Sequence, residues 1–307
     1  MSHRYWTTIL AATLLVGHAA AAEEPVANQD LLRAQLERRI EQRLAAVDGV
    51  IGVWIKDLVS GAEIAVNEDR VFPTASSIKI AILVELYRQA EHGRLRLEDR
   101  HRVADSDRAG GSGVLQHLGA AELSLRDLAT LMIVLSDNTA TNILIDKVGM
   151  DTVNATLDRL GLPATRLRRK MIRPDEQAAG RENVSTPAEL GRLVERIYRE
   201  KVVTPQACRE MLQVLAHPKS GPLRSRLPQD VRVAHKTGGL GGVVNDVGVV
   251  LLEGRPFIVS AMSTLVGNGE EAGRTISDVA RLAYDYFARL ERANAYGAQL
   301  PPGLMRR

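Results

Sequence analysis

Two kinds of apolar spacing divide the chain into helical and extended segments. Apolar residues recur at every fourth position over 31–47, which predicts an amphipathic helix near the N-terminal end. Five shorter runs are alternating or rich in β-branched residues and are bounded by glycine, proline or polar turns, which predicts strands. These predicted strands are 50–58, 63–67, 231–236, 243–252 and 256–264. A last helix is predicted over 272–290.

The segment between the two groups of strands predicts only helices. A long apolar run at 78–90 contains no breaker, and Ser124 with Asp127 resembles a capping box that begins another helix. The remaining predicted helices are 139–148, 151–160, 186–199 and 205–215. We therefore expect an α+β fold, in which one antiparallel sheet is flanked by the N- and C-terminal helices and a separate lobe is all-helical.

The order of these elements also predicts the domain organisation. An α/β lobe is expected to combine 23–74 with 217–295, because the strands lie in both pieces. The all-helical lobe is expected to occupy 75–216, and a C-terminal tail 296–307. A cleft between the two lobes is the expected place for a functional site.

The first residues resemble an export signal. His3 and Arg4 form a basic start, an apolar run follows from Trp6 to Val16, and Ala20-Ala21-Ala22 lead directly to Glu23. This pattern is typical of a secretory signal peptide over 1–22, and the apolar run is too short for a stable membrane anchor. An uncleaved anchor is the alternative. We expect a periplasmic or secreted protein that has no stable membrane insertion after signal cleavage.

Composition narrows the classes of function. Aromatic residues make up 4% of the chain and the net charge is +3, so neither a base-stacking platform nor a strongly basic surface favours nucleic-acid binding. No cluster of His, Cys and Asp has metal-ligand spacing, and the single Cys208 excludes an intrachain disulfide. We expect a monomer that needs no metal and no other cofactor.

Ser76-Ser77-Ile78-Lys79 is the first motif with chemical potential. A serine hydroxyl is a weak nucleophile until a base removes its proton, and a lysine three residues later on a helix lies within reach. Burial or a nearby cation lowers a lysine pKa far enough for it to act as that base. Ser77 is a weaker candidate, since the residue three positions later is Ile80. Taken alone, the motif favours a helix-capping serine and a solvated lysine over a catalytic pair.

Two further motifs change this interpretation. Ser136-Asp137-Asn138 lies between two predicted helices, and Lys236-Thr237-Gly238 lies at the end of a predicted strand. Separately they are consistent with a turn and a strand end. The three motifs in this order match the signature described for class A β-lactamases and penicillin-binding proteins.

The chain resembles class A β-lactamases over nearly its whole mature length. Gly221-Pro222-Leu223-Arg224-Ser225 and Leu227-Pro228 resemble the family's stretch before its Lys-Thr-Gly strand. Asn245-Asp246 before an apolar strand resembles one branch of the family, and Thr165-Arg166-Leu167 resembles the entry to its omega loop. The resemblance implies the same order of strands, helical lobe and strands that the apolar pattern predicts.

The resemblance also implies a catalytic set. Ser76 would attack the carbonyl group and become acylated, and Lys79 would accept or relay its proton. Ser136 would pass a proton to the departing nitrogen and contact Lys236. A second amine beside Lys79 would lower the Lys79 pKa, which agrees with the role of a base.

A substrate-binding set follows from the same resemblance. Asn138 would hydrogen-bond the amide side chain of the substrate, and Lys236 with Thr237 would bind its carboxylate. Backbone N–H groups of Ser76 and Gly239 would form the oxyanion hole. The implied substrate-binding residues are Asn138, Thr237, Gly238 and Gly239.

The omega-loop stretch departs from the family pattern. Class A β-lactamases carry a Glu there, in a Glu-x-x-Leu-Asn pattern, which activates the water that hydrolyses the acyl-enzyme. Counted from Thr165-Arg166-Leu167, this Glu would fall at Met171. Asp175 and Glu176 follow a few residues later, and either could serve as the deacylation acid if the loop takes another path; otherwise they are solvated loop residues.

These residues predict a serine hydrolase that β-lactams acylate at Ser76, with slow deacylation. A peptidoglycan DD-peptidase or an esterase with the same four residues is the first alternative, since such enzymes need no omega-loop Glu. A receptor that is acylated and does not turn over is the second. The expected partner is accordingly a small β-lactam or a peptidoglycan peptide.

Overall fold

The computed structural model describes residues 26–294 and 296–301. Its strands are β1 (Val50–Asp57), β2 (Glu63–Val66), β3 (Phe72–Pro73), β4 (Arg100–Val103), β5 (Ala121–Ser124), β6 (Val184–Ser185), β7 (Arg232–Leu240), β8 (Val243–Leu251) and β9 (Phe257–Thr264). Its α-helices are α1 (Val26–Ala45), α2 (Lys79–Glu91), α3 (Leu125–Val134), α4 (Asn138–Val148), α5 (Met150–Arg159), α6 (Pro174–Ala178), α7 (Pro187–Tyr198), α8 (Pro205–Leu215), α9 (Pro222–Ser225) and α10 (Gly269–Glu291). Short 3₁₀ turns lie at Ala75–Ile78, Asp105–Asp107 and Leu115–His117.

A five-stranded sheet joins the two ends of the described chain. Its strand order is β2-β1-β9-β8-β7, and every neighbouring pair is antiparallel. The first two strands precede the helical segment and the other three follow it. The prediction of an α+β fold with one antiparallel sheet is confirmed.

Each face of the sheet carries its own core. On one face, α1 and α10 contribute Ile40 and Phe287, which pack with sheet residues such as Val259. On the other face, Trp54 and Ile258 pack with helices of the middle segment. Each fully buried side chain of this kind contributes about 1.5–3 kcal/mol relative to an exposed one. The sheet is therefore held between the terminal helices and the middle segment.

Helix α2 runs through the centre of the middle segment. Residues 79–87 are all buried, which agrees with the apolar run that predicts this helix. Helix α3 begins at the expected capping box, where Ser124 Oγ accepts the N–H of Asp127 at 3.1 Å and the Asp127 carboxylate accepts the N–H of Ser124. These two helices and α4 place the residues that later meet at one site.

Two details differ from the expectations. The segment 75–216 is mainly helical, but it also carries the short strands β4, β5 and β6, whose two to four residues are too few for a clear alternating pattern. Strand β7 continues past Gly238 to Leu240, so the Lys-Thr-Gly motif lies inside the strand and not at its end. The glycines there reduce strand propensity, but pairing with β8 outweighs this loss.

Some expectations stay predictions. The domain boundaries are untested, and the predicted signal peptide over 1–22 lies outside the described residues. Among the helices that the structure describes, none is long and apolar enough to cross a membrane.

Candidate active site

Ser76 lies in a short turn that leads from β3 into α2. Ala75 adopts a left-handed φ of +46°, and the 3₁₀ turn that follows carries Ser76. Thr74, just before it, is held by its backbone N–H and hydroxyl, which both donate to the Asn183 carbonyl at 2.9 and 3.1 Å. The Asn245 side chain also donates to the Thr74 carbonyl at 3.1 Å. The position of Ser76 is thus set by contacts with segments distant in sequence.

The amine of Lys79 is fully buried at the beginning of α2. Its Nζ lies 2.8 Å from the Ser136 carbonyl oxygen, 3.1 Å from Ser136 Oγ and 3.0 Å from Asn138 Oδ1. Ser76 is not among the hydrogen-bond partners of this amine. The amine is therefore directed toward the Ser136 turn, one helical turn below Ser76.

The turn at Ser136 projects two polar side chains toward Lys79. Ser136 has a left-handed φ of +53°, and the Asp137 side chain caps α4. The same carboxylate accepts the backbone N–H groups of Val114 and Leu115 at 2.7 and 2.9 Å. Asp137 therefore ties the turn to a neighbouring loop, and Ser136 and Asn138 are held on either side of it.

Lys236 approaches the same serine from strand β7. Its Nζ lies 3.1 Å from Ser136 Oγ and 2.8 Å from the Thr237 carbonyl oxygen, and only 1% of the residue is exposed. Gly238 allows this approach, because a Cβ built there would lie 2.5 Å from the Thr74 carbonyl oxygen. A larger residue at 238 would push β7 away from the turn that carries Ser76.

Both amines have lowered pKa values. Burial, followed by the charge of Lys236, lowers the pKa of Lys79 well below its usual value, and the Asp137 carboxylate opposes this. Burial also lowers the pKa of Lys236 to about 7, although the Asp246 carboxylate acts in the opposite direction. A buried amine loses its hydration when it is charged, so the neutral form is favoured. Two cations so close together would also repel each other.

The hydrogen bonds around Lys79 can all be satisfied by a neutral amine. The Ser136 carbonyl and Asn138 Oδ1 can only accept hydrogen bonds, so Lys79 donates two N–H groups to them. The lone pair of Nζ then accepts the hydroxyl hydrogen of Ser136, while Lys236 donates to the same hydroxyl oxygen. The geometry thus forms a chain from Lys236 through Ser136 to Lys79 along which a proton can move.

The His235 side chain lies on the face of β7 opposite to the Lys236 side chain, because successive side chains of a strand alternate between the two faces. Its Nδ1 lies 2.7 Å from Asp246 Oδ1, and Asp246 Oδ2 accepts the N–H of Leu223 at 3.0 Å. The pair is buried beneath Gly221, where a Cβ would lie 2.6 Å from the imidazole. His235 therefore has a structural position under β7, away from Ser136.

A cavity of about 220 Å³ opens beside Ser76. Among the predicted site residues, Ser76, Asn138 and Gly239 line it. Gly238 lies beneath, against Thr74, and the methyl group of Thr237 lies near Gly221. The remaining lining residues are Ala75, Gly111, Ser112, Arg169, Met171, Ile172, Asn183 and Leu240.

The wall of this cavity opposite β7 comes from the segment after Leu167. The Asn142 side chain holds it in place, since Asn142 Oδ1 accepts the N–H of Met171 at 2.8 Å and Nδ2 donates to the Met171 carbonyl at 3.2 Å. Asn183 Oδ1 similarly accepts the N–H groups of Arg168 and Arg169 at 2.7 and 3.0 Å. Sequence reasoning missed both asparagines, because a single buried amide has no local pattern.

The two acids proposed for deacylation do not reach the cavity. Asp175 and Glu176 lie on α6, where Asp175 pairs with Arg173 at 2.8 Å and Glu176 pairs with Arg181. Their arginine partners lower both pKa values, that of Asp175 to about 2. None of the described residues that line the cavity is an Asp or Glu. The structure therefore does not bring Asp175 or Glu176 into the cavity beside Ser76.

No metal-binding arrangement accompanies the site. Within the described parts of the chain, no group of three or more His, Cys, Asp or Glu residues could hold a metal ion.

The fold and the site together define a serine hydrolase of the penicillin-recognising class. An antiparallel sheet packs against a mainly helical segment, Lys79 and Lys236 meet at Ser136, and Ser76 lines the cavity together with Asn138, which also contacts Lys79. The chain belongs to the class A β-lactamase family: the model described as "Beta-lactamase enzyme family" matches residues 35–287.

Curated relatives and solved structures are similar over most of the chain. A β-lactamase of Streptomyces albus G is 30% identical over 89% of this chain and 91% of its own length, and β-lactamase L2 of Stenotrophomonas maltophilia is 28% identical over 78% and 81%. A β-lactamase crystal structure from Sphaerobacter thermophilus is 34% identical with a TM-score of 0.75 and covers 81% of this chain and 96% of that one. A PBP-A mutant in an acyl-enzyme complex with penicillin G is 29% identical with a TM-score of 0.77, over 83% and 97%.

Proposed function

We propose that the protein is a serine hydrolase that β-lactams acylate at Ser76 and that releases the acyl group slowly. The observation that carries this proposal is the hydrogen-bonded chain of Lys79, Ser136 and Lys236. Both amines are buried and have lowered pKa values, so an amine that can accept a proton lies one helical turn from the serine.

Acylation can be written with these groups alone. Ser76 Oγ attacks the lactam carbonyl carbon, and its proton passes to the neutral amine of Lys79. Because Ser76 and Lys79 are not directly bonded, this transfer needs the amine to turn toward Ser76 or a water between them. When the C–N bond breaks, the proton moves from Lys79 through Ser136 to the ring nitrogen, which leaves a Ser76 ester and restores neutral Lys79.

Substrate binding is assigned to the residues around the hydrogen-bonded series of Lys79, Ser136 and Lys236. Lys236, with Thr237, would bind the substrate carboxylate. The negative charge of this carboxylate raises the pKa of Lys236 and so favours its protonated form. Asn138 lines the cavity and would hydrogen-bond the amide side chain. Backbone N–H groups of Ser76 and Gly239 would stabilise the oxyanion, with Gly238 providing the close packing of β7.

Slow deacylation is supported by the opposite wall of the cavity. The register from Thr165-Arg166-Leu167 assigns Met171 to the position of the family's deacylation acid, and Met171 lines the cavity. A thioether cannot take a proton from water. Asp175 and Glu176 lie outside the cavity and are paired with arginines, so neither is available as a substitute.

The hydrogen-bonded series of Lys79, Ser136 and Lys236 also supports a second candidate function, that of a peptidoglycan DD-peptidase. A peptide that ends in a carboxylate would bind Lys236 as a β-lactam does, and its amide would acylate Ser76 by the same proton movements. A receptor that stays acylated is the limiting case. Export through the segment 1–22 to the periplasm or the medium, where peptidoglycan is accessible, belongs to this proposal.

Labelling with a fluorescent penicillin tests the acylation step. We expect one label per chain on the native protein and none on Ser76→Ala. Ser77→Ala is the matched control, because Ser77 is adjacent but has a buried hydroxyl without a hydrogen-bond partner, and it should label normally. Unlabelled native protein, or Ser76→Ala that still labels, would contradict the proposal.

A further inference from the structure

Ile172 adopts a backbone conformation that β-branched residues rarely adopt. Its φ is +55°, in the left-handed region. The other non-glycine residues in this region that the structure describes are Asn67, Ala75, Ser136, Glu200 and Leu265, none of which is β-branched. Half of the Ile172 side chain is also exposed to solvent, although it is large and apolar. Glycine or asparagine would occupy this position with less strain.

The chain on both sides of Ile172 maintains this conformation. Asn142 binds both the N–H and the carbonyl of Met171, directly before it. Pro174 begins α6 two residues later and disfavours a helical Arg173, whose φ is −124° and ψ 79°. A strained residue persists where its surroundings determine its conformation, and such residues are concentrated at functional sites.

The Ile172 side chain reaches across the cavity to a glycine-rich loop. A Cβ built on Gly111 would lie 3.2 Å from Ile172 Cδ1 and 2.9 Å from Asn138 Nδ2. The isoleucine is therefore packed against the bare backbone of Gly111, which itself has a left-handed φ of +81°. This Ile172–Gly111 contact joins the two sides of the cavity next to Asn138.

We propose that the Ile172–Gly111 contact limits the size of the acyl side chain that can reach Ser76. The inference rests on the proposed function, in which Asn138 holds the amide of the substrate. A substituent that extends beyond this amide meets Ile172, and the cavity of about 220 Å³ leaves little room past it. The protein thus selects substrates with a short acyl group, both among β-lactams and among peptides.

Two variants at Ile172 separate the side chain from the backbone strain. Ile172→Gly removes both, and Ile172→Asn keeps a side chain that tolerates a left-handed φ. Leu265→Gly is the matched control, since Leu265 has the same φ of +55°, is 78% exposed and does not line the cavity. Acylation rate constants are measured by intact mass with 6-aminopenicillanic acid, which has no acyl group, and with penicillin G and piperacillin, whose acyl groups increase in size.

We expect Ile172→Gly to raise the rate for piperacillin about tenfold relative to 6-aminopenicillanic acid, and Ile172→Asn, which relieves the strain but keeps a shorter side chain beside Gly111, to raise it less. Penicillin G should show a smaller increase, and Leu265→Gly should leave the ratios within about twofold of native. If the ratio of the piperacillin rate to the 6-aminopenicillanic acid rate does not change, the size limit is wrong. If this ratio falls, Ile172 binds apolar acyl groups instead of excluding them, and the size limit is wrong as well. Both results leave the proposed function standing. If neither 6-aminopenicillanic acid nor penicillin G acylates any form of the protein, the proposed function itself fails, and the size limit fails with it.

Discussion

The two walls of the cavity beside Ser76 differ in chemistry. One wall, formed by α2, the Ser136 turn and β7, has two buried amines that meet at one hydroxyl, each 3.1 Å from Ser136 Oγ. The other wall, formed by the segment around Met171, contributes the apolar Met171 and Ile172 with the polar Arg169 and Asn183, and Asp175 and Glu176 are paired with arginines outside the cavity. On the proposed function, the first wall has the groups that would form an ester, and the second contributes no carboxylate that would activate water to break it.

Acylation and deacylation can therefore depend on separate parts of the fold. The amines are anchored by the sheet and α2, the most buried parts of the molecule. The second wall depends on the Asn142 and Asn183 side chains, which hold its backbone but leave its side chains free to vary.

The largest expected effect is on the acylation wall. Replacing Lys79 by Met removes the proton acceptor while keeping the length of the side chain, so acylation by penicillin G should slow by about 10²–10⁴-fold. The rate is measured by intact mass over time. Lys147→Met, at an exposed lysine on α4, serves as the control and should acylate at the native rate. A Lys79→Met protein that acylates normally would place the base elsewhere.

The second prediction replaces an apolar side chain of the other wall by a carboxylate. Met171→Glu introduces a carboxylate beside Ser76, and we expect it to speed deacylation by about 10²-fold or more, because a positioned base then activates water. Met171→Gln, which has the same shape without a base, should keep the native rate. Loss of the penicillin acyl group, followed by mass after excess drug is removed, gives the rate. Equal rates for the two variants would mean that the wall does not control deacylation.

The third prediction concerns the free energy of unfolding and its pH dependence. The pKa of Lys236 is about 7 when folded and about 10.4 when unfolded, so the unfolded chain binds more protons between these values and stability rises with pH there. Lys236→Met removes the buried amine and should be more stable by about 1–4 kcal/mol at pH 7. Urea denaturation at pH 6, 8 and 10 should show this gap shrinking as pH rises. If the Lys236 pKa were normal, the difference in unfolding free energy between Lys236→Met and the native protein would be the same at the three pH values.

The smallest effect is expected outside the cavity. Asp175→Asn and Glu176→Gln alter exposed pairs with Arg173 and Arg181, and neither acid lines the cavity. Both variants should deacylate within about twofold of the native protein. A large loss of turnover in either variant would show that α6 moves its acid toward Ser76, and the contrast between the walls would then disappear.

Most of the fold could be predicted from the apolar pattern. The long helices and the sheet strands have enough residues to show their period, and the fully buried α2 is the clearest example. The strands β3 to β6 have two to four residues and no readable period. The extension of β7 beyond Gly238 could not be predicted either, because pairing with β8 outweighs the low strand propensity of glycine.

The candidate site divides in the same way. Ser76, Lys79, Ser136 and Lys236 belong to motifs, so their types and order point to them, although their catalytic roles stay predictions. Asn142, Asn183 and Ile172 have no such signal. Their positions depend on contacts between segments far apart in sequence and on a backbone conformation that an isoleucine does not itself favour.

Pre-steady-state hydrolysis of a chromogenic cephalosporin tests the contrast between the walls most directly. If Ser76 is acylated quickly and its ester persists, the native protein should show a burst of about one equivalent of ring opening, followed by a much slower steady rate. Fast linear turnover without a burst would show that the apolar wall does break the ester, and a trace with neither phase would show that the buried amines do not activate Ser76.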